Sequence, residues 1–324
     1  MSVQNQDELL ALSGERAQQR RIAIPQIGMA LAAVLLLLAL PYMVGGYIQG
    51  VLTFAFYVAV FAMAWDLLFG YSGEINFGPT FLIGLGAYGA ALLSYYLMWP
   101  VWLCIVVGTI AAIFGGLLLT GPALRFRGPY FGLITLVSAI LLEKFVVLFG
   151  DFTGGEIGLP VSDFLTISSE GNYYYALGLM LITAVALLLL VRSPIGLIMQ
   201  AGGQDSVATE ALGFSVTRYK FIAFIVSAFF SGIAGAMLVF YLGSAAPASV
   251  LAVPVTLQII IAVILGGRRT IIGPMGGAIF LVCAEEVLRP LGTISQAAVA
   301  LIALVVLMYA PDGFAGLFRR RKTA

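Results

Sequence analysis

The chain is predicted to be an all-α, polytopic integral membrane protein of eight to ten transmembrane helices, with Gly/Pro-broken segments and an internal repeat. Three observations predict this. Hydrophobic residues make up 61% of the 324 residues and charged residues only 10%, where a soluble domain carries about 25% charged residues. The apolar residues are gathered into runs near the roughly 20 residues that a helix needs to cross a bilayer. Glycine and proline cluster inside two of those runs, where they break regular helix.

The elements follow in order. Residues 1–22 are polar and carry acids at Asp7, Glu8 and Glu15. A secretory signal has a short basic region and an apolar core within about 30 residues, so this stretch reads as a retained cytoplasmic tail. The transmembrane domain occupies 23–310, with predicted spans near 24–44, 48–69, 79–98, 101–121, 130–149, 173–191, 219–242, 254–266, 271–288 and 293–310. The eighth is short, and a Gly-rich stretch joins the second to the third. A basic cytoplasmic tail, 311–324, closes the chain.

Charge selects ten crossings. With the N-terminus inside, ten spans place fourteen of the sixteen Lys and Arg residues on the cytoplasmic side, Lys144 and Arg289 excepted. The longest predicted outer loop, 150–172, has Asp151, Glu156, Asp163 and Glu170 and no base. Short cytoplasmic loops are the ones enriched in Lys and Arg, so both termini are expected to be cytoplasmic.

Two interrupted stretches stand out. The first, Gly70 to Ala90, places Ser72, Glu74 and Asn76 among Gly70, Gly73, Gly78 and Pro79. The second, Leu265 to Phe280, repeats the Gly-Pro character at Gly273-Pro274 after Gly266-Gly267. Irregular backbone at membrane depth survives only where protein buries it or where it lines a wet cavity, and transporters hold substrate beside broken helices. Ser72, Glu74, Asn76, Gly78, Gly266, Gly267 and Gly273 are therefore the candidate substrate pathway; an ordinary cytoplasmic turn is the alternative for Gly70 to Gly78. Ionisable residues at membrane depth are costly, which singles out Asp66, Glu74, Glu143 with Lys144, and Glu285 and Glu286 with Arg289. Spacing pairs Glu285 with Arg289 one turn apart at the outer surface.

A polar loop, Arg192 to Lys220, lies among the greasy runs. A charged, helix-compatible loop in a polytopic protein is a place for a soluble partner to dock. Ala208, Glu210, Ala211, Leu212, Gly213 and Phe214 are the coupling candidates, with Gly213 ending a short helix. In the outer loop Thr153, Gly154, Gly155 and Glu156 are candidates for contact with an outside partner. The sequence has no histidine, and its two cysteines, Cys104 and Cys283, sit in apolar runs. No metal-ligand cluster, no nucleophile–base pair and no P-loop can be read, so neither a cofactor nor enzyme activity is expected, and any ATP must be handled by a partner. The net charge of +1 gives nucleic acid no purchase. Two functions remain: a permease driven by an ATPase, or a stand-alone ion-gradient carrier using Asp66, Glu74 and Glu143.

A resemblance then rests on Gly70-Tyr71-x-Gly73 followed by Phe77-Gly78 and Gly86-Ala87-Tyr88; on Thr153-Gly154-Gly155 with Gly158-Leu159; on Ser193 to Gly196; and on Ala208, Leu212-Gly213, Tyr219-Lys220, Ala223-Phe224, Ser227-Ala228 and Gly232 to Gly235, with Gly266-Gly267 and Gly273-Pro274. The chain resembles the longer of the two paired permeases of high-affinity branched-chain amino acid ABC importers, over residues 50 to 315. The resemblance implies a heterodimer with a shorter sister permease in a bacterial inner membrane, two cytoplasmic ATPase subunits, and an extracytoplasmic substrate-binding protein. It also implies that the loop around Ala208 to Gly213 enters the ATPase surface. Relatives of this kind also carry urea, short amides and aromatic acids.

Overall fold

The computed structural model describes residues 28, 32–123, 129–292, 301, 304, 308 and 313. The N-terminal tail, residues 24–27 and 29–31 of the first span, the Arg125–Arg127 loop, most of the last span and all of the C-terminal tail but Gly313 lie outside the described residues. The chain divides into two compact units at Gln49/Gly50. In the first, an apolar helix α1 (Ala32–Tyr42) is followed by a turn in which the Gln49 amide donates to the Pro41 carbonyl at 2.9 Å.

The second unit is built from helices. They are α2 (Gly46–Asp66, of which 50–66 belong to this unit), α3 (Pro79–Leu97), α4 (Val101–Ala123), α5 (Pro129–Leu148), the short α6 (Gly150–Thr153), α7 (Ser169–Arg192), α8 (Pro194–Gln204), α9 (Ser206–Ala211), α10 (Val216–Leu242), α11 (Pro247–Val250), α12 (Val253–Gly266) and α13 (Ile272–Leu288). Among the described residues seven helices are long and apolar enough to cross a membrane. Two short strands, β1 (Leu159–Pro160) and β2 (Ser244–Ala245), pair antiparallel. The protein is a polytopic, all-α membrane protein.

Small residues let the central helices approach to backbone contact, which replaces the hydrophobic drive that is missing in lipid. A β-carbon at Gly86 would run into the backbone of Gly232, one at Gly235 into Ile83, and one at Gly89 would stand 3.1 Å from the Cα of Gly108. These contacts lock α3, α4 and α10 together. From Ala55 to Trp65 every α2 side chain is buried, so α2 is apolar all round as a central helix should be.

Contacts sort the connections into two ends. At one end, the 66–78 connection touches the 193–215 loop, the start of α10 and the 267–271 turn, through Gly73 on Gly203, Glu74 on Lys220 and Asp66 on Arg269. At the other, Ser94 bonds Ser162, the Tyr96 hydroxyl donates to the Phe152 carbonyl at 2.9 Å, and Leu159 pairs with Ala245.

Candidate functional site

The first interrupted stretch leaves helical geometry before its glycines. α2 continues as a single π-helical turn, Leu67–Tyr71, of the kind that recurs at functional sites. Residues 72–78 then carry no regular secondary structure up to the N-terminus of α3. Ser72 and Asn76 are each 1% exposed and Glu74 is 7% exposed. Each polar group has a partner in the chain: Ser72 Oγ donates to the Leu68 carbonyl at 2.9 Å, and Asn76 Oδ1 accepts from the Gly78 N–H at 2.8 Å. The Asn76 carbonyl accepts from Trp65 Nε1 at 2.6 Å, and the Phe77 N–H donates to Thr135 Oγ1 at 3.0 Å. Thr135 is six residues into α5, about 9 Å along its axis. α3 therefore begins well inside the level at which α5 does.

Glu74 meets Lys220 of α10, Oε1 to Nζ, at 2.5 Å. One residue before it, Gly73 has φ +74, and a β-carbon there would stand 2.8 Å from the Gly203 carbonyl oxygen. The contact is reciprocal: a β-carbon on Gly203 would stand 2.8 Å from the Tyr71 carbonyl oxygen and 2.9 Å from the Ser72 carbonyl carbon. The last turn of α8 thus rests on the backbone of the interrupted stretch.

The second Gly-rich stretch joins the same place. Asp66, fully buried, accepts from the backbone N–H of Arg269 at 3.0 Å and of Ile271 at 3.3 Å. Arg269 Nε donates to the Gly70 carbonyl at 2.6 Å. Gly266, Gly273 and Gly277 permit the close approach of α12 to α13: a β-carbon at 277 would stand 2.7 Å from the Gly266 N. Of the seven pathway residues, Ser72, Glu74, Asn76 and Gly78 lie on one connection and Gly266, Gly267 and Gly273 on the other, with Asp66 and Arg269 as the tie between them.

The expected Glu285–Arg289 pair is not the one formed. Arg289 bonds Glu286, one turn back at i,i+3, at 3.0 Å. Glu285 instead turns toward α12 and accepts from Gln258 Nε2 at 2.5 Å. Positions i−3 and i−4 both lie within reach of Arg289 on a helix; Glu285 is taken by Gln258 from α12, which leaves Glu286 to the arginine. Glu143 and Lys144 pair at 3.4 Å, with the lysine largely exposed.

The polar loop holds two helices rather than one. Ser193 accepts from the Gly196 N–H at 3.3 Å and Pro194 occupies N1 of α8, a strong start signal. Asp205 caps α9 by accepting from the Ala208 N–H at 2.9 Å. Gly213, with φ +89, follows it. Ala208, Glu210, Ala211, Leu212, Gly213 and Phe214 are all exposed. Leu212 is 77% and Val207 70% exposed; Val207 was legible only once the helix start was known. In the outer loop, Thr153 and Gly155 are buried and Glu156 is exposed. Thr153 Oγ1 donates to the Val146 carbonyl at 2.5 Å and so shapes the turn.

One element has no counterpart in the sequence reading. After Gly243, residues 244–252 descend along α3 instead of forming a surface loop. Leu251 sits against Gly84, and Thr256 meets Thr80 at 3.1 Å. Gly84 is thirteen residues, about 20 Å, from the Leu97 end of α3, so α12 starts at depth. The available signals were the short eighth span with Gly243, Pro247 and Pro254.

Residues 47–311 match the family described as branched-chain amino acid transport system / permease component. The high-affinity branched-chain amino acid transport system permease protein LivM of Escherichia coli (strain K12) is 25% identical over 340 residues, covering 96% of this chain and 78% of that protein. LivM of Salmonella typhimurium is 24% identical over 318 residues, with 89% and 75% covered. The ribose import permease protein RbsC of Haemophilus influenzae is 29% identical over 237 residues, with 69% and 71% covered.

Proposed function

We propose that this chain, which belongs to the branched-chain amino acid transport permease family, is the membrane-spanning subunit of an ATP-binding-cassette importer for branched-chain or related amino acids. It would work in a bacterial inner membrane as a heterodimer with a sister permease, two cytoplasmic ATPase subunits and an extracytoplasmic binding protein. The observation that carries the reading is α9: a short capped helix whose flanks present Val207, Leu212 and Phe214 to solvent, at the end that also bears Arg192, Arg218, Lys220, Arg268 and Arg269. Exposed apolar side chains on a polar loop mark a docking surface, and the positive-inside rule makes that end cytoplasmic. Burying one such side chain contributes on the order of 1.5–3 kcal/mol.

In this reading α8 and α9 are the coupling element within loop 192–220. Glu210 supplies a charge and Leu212 and Phe214 the apolar contact, while Glu156 faces the binding protein from loop 150–172. Solute passes beside residues 72–78 and the α12–α13 hairpin. The subunit itself carries out no catalysis. A gradient-driven carrier would need Asp66, Glu74 or Glu143 to exchange protons, and all three are engaged by partners within the chain.

The test is reconstitution. Leucine uptake into liposomes should require the partner subunits and ATP, and cysteines from Ser206 to Ser215 should crosslink to an ATPase subunit. Uptake by the isolated chain under a proton or sodium gradient, without crosslinks, would overturn the proposal.

A further inference from the structure

The segment between α10 and α12 is fastened at one end to the loop that leaves α6 and wedged at the other into the bundle. Leu159 and Pro160 pair with Ala245 and Ser244. Past the ladder, the Val161 N–H donates to the Gly243 carbonyl at 3.1 Å. Ahead of it, a β-carbon at Gly158 would stand 2.6 Å from the Ala246 Cα. Residues 158–161 of the loop therefore lie against residues 243–246, and the two cannot part without losing backbone bonds. Both strands are entered through glycines at positive φ, Gly158 at +90 and Gly243 at +82. A few such loop residues suffice to absorb the backbone change of a hinge.

The far end is a wedge. Of residues 244–252 only Val250 and Leu251 carry large aliphatic side chains; the rest are Ser, Ala and Pro. Both are buried. Leu251 Cδ2 occupies the space that a β-carbon would take at Gly84, and Leu142 of α5 stands 3.6 Å from the same point. The notch lies on a seam between α3 and α5. Six residues back along the chain, about 9 Å at helical rise, a β-carbon at Gly78 would run into the Thr135 carbonyl of α5. Leu251 thus closes the seam on the outer side of residues 72–78.

We propose that residues 244–252 are the outer gate of the permease and that the β1–β2 ladder is its handle. Displacing loop 154–162 carries the segment with it, draws Leu251 out of the Gly84 notch and opens the α3–α5 seam above residues 72–78. Ser162, bonded to Ser94 through both its N–H and its hydroxyl, is the fastening that slips first. The inference rests on the permease reading and deepens it, naming the residues that carry an event at the outer loop to the pathway. Leu251 acts here by position, as a stopper rather than a ligand.

The test uses the full chain assembled with its partner subunits, with Cys104→Ala and Cys283→Ala as background. Two cysteine pairs are introduced separately. Gly84→Cys with Leu251→Cys pins the wedge: Leu251 Cγ lies 2.9 Å from a β-carbon at Gly84, within the span of a disulfide. Leu159→Cys with Ala245→Cys joins two directly opposed strand residues. Oxidising the first pair with copper phenanthroline should abolish ATP-driven leucine uptake, and dithiothreitol should restore it. Oxidising the second should leave uptake as it is in the reduced form, because handle and gate move as one body. Unchanged uptake with the first pair joined, or arrest with the second, would overturn the gate.

A second measurement does not depend on transport. With Leu251→Cys as the single cysteine, labelling by a maleimide should be slow. Gly158→Val forces the loop off Ala246 and should speed that labelling about tenfold, as a local opening made easier at the ladder. A cysteine replacing Leu82, equally buried on α3, should stay slow in both backgrounds; if it speeds as well, Gly158→Val has unfolded the chain and the two disulfides decide. Equal rates at 251 with and without Gly158→Val would overturn the gate whether or not the complex transports. Faster labelling at 251 alone, without ATP-driven uptake by any reduced variant, would overturn the importer reading and leave the gate standing.

Discussion

Residues 72–78 and residues 244–252 both interrupt the helical bundle, one from each end, and they are held by different forces. The first is held by polar groups: Glu74 on Lys220, Asn76 on the Gly78 N–H, Trp65 on the Asn76 carbonyl. The second is held by shape, with Val250 and Leu251 buried against α3 and a two-residue backbone ladder to β1. A charge pair can be undone by a change in a neighbouring charge, while a packed leucine yields only when the helices move. The first segment is therefore suited to respond to an event at the polar loop, and the second to hold its place until the bundle rearranges.

The largest effect should come from breaking the charge pair on one side only. Lys220→Ala leaves Glu74 buried without a counter-ion and should lower stability by about 3 kcal/mol, read as a fall in the thermal midpoint of the purified protein. Glu74→Gln with Lys220→Gln should recover most of that loss. Recovery of nothing would mean that the pair does not hold the first segment.

On the second segment, Leu251→Ala removes a side chain that is 1% exposed and should cost about 2–3 kcal/mol, since a cavity opens against Gly84. The loss should be indifferent to salt. A marked salt dependence would erase the contrast between the two segments.

The smallest effect on stability, and the sharpest comparison, is between adjacent glycines of α8. Gly202→Ala places a β-carbon 3.0 Å from a Val216 methyl, which can shift; Gly203→Ala places one 2.8 Å from the Tyr71 carbonyl oxygen, which cannot. Both substitutions gain about 1 kcal/mol of helix propensity. Gly202→Ala should therefore be near neutral or slightly stabilising, while Gly203→Ala should be destabilising by about 1 kcal/mol and should lower leucine uptake per ATP hydrolysed. Identical behaviour of the two would show that α8 does not bear on the first segment.

Much of this was legible because the signals are local. Gly213 reads as the end of a short helix, and it follows α9; the Ser193-Pro194 start of α8 and the Asp205 cap of α9 are signals of the same local kind, which the sequence reading passed over. The apolar runs located the membrane helices because length and hydropathy are properties of the segment itself. What escaped depends on partners far away in sequence. Asp66 resembles a pathway acid until Arg269 and Ile271 are seen to donate to it across some two hundred residues. Glu285 resembles a partner for Arg289 until Gln258 arrives from α12. The 244–252 segment has no charge and only Gly243, Pro247 and Pro254 in and around it to announce it, and it is shaped by a groove that another helix supplies.

Arg269 has φ +62 and Ile271 φ +56, conformations that an L-residue with a β-carbon adopts at a cost of about 1–2 kcal/mol. Glycine would fit both positions more comfortably, so the turn has forgone the easier residue. At 269 the reason is visible: only a long side chain can cross to the Gly70 carbonyl and fasten the two Gly-rich stretches to each other. A designer consulting backbone preference alone would write glycine there, relax the turn, and disconnect the α12–α13 hairpin from the stretch it is fastened to.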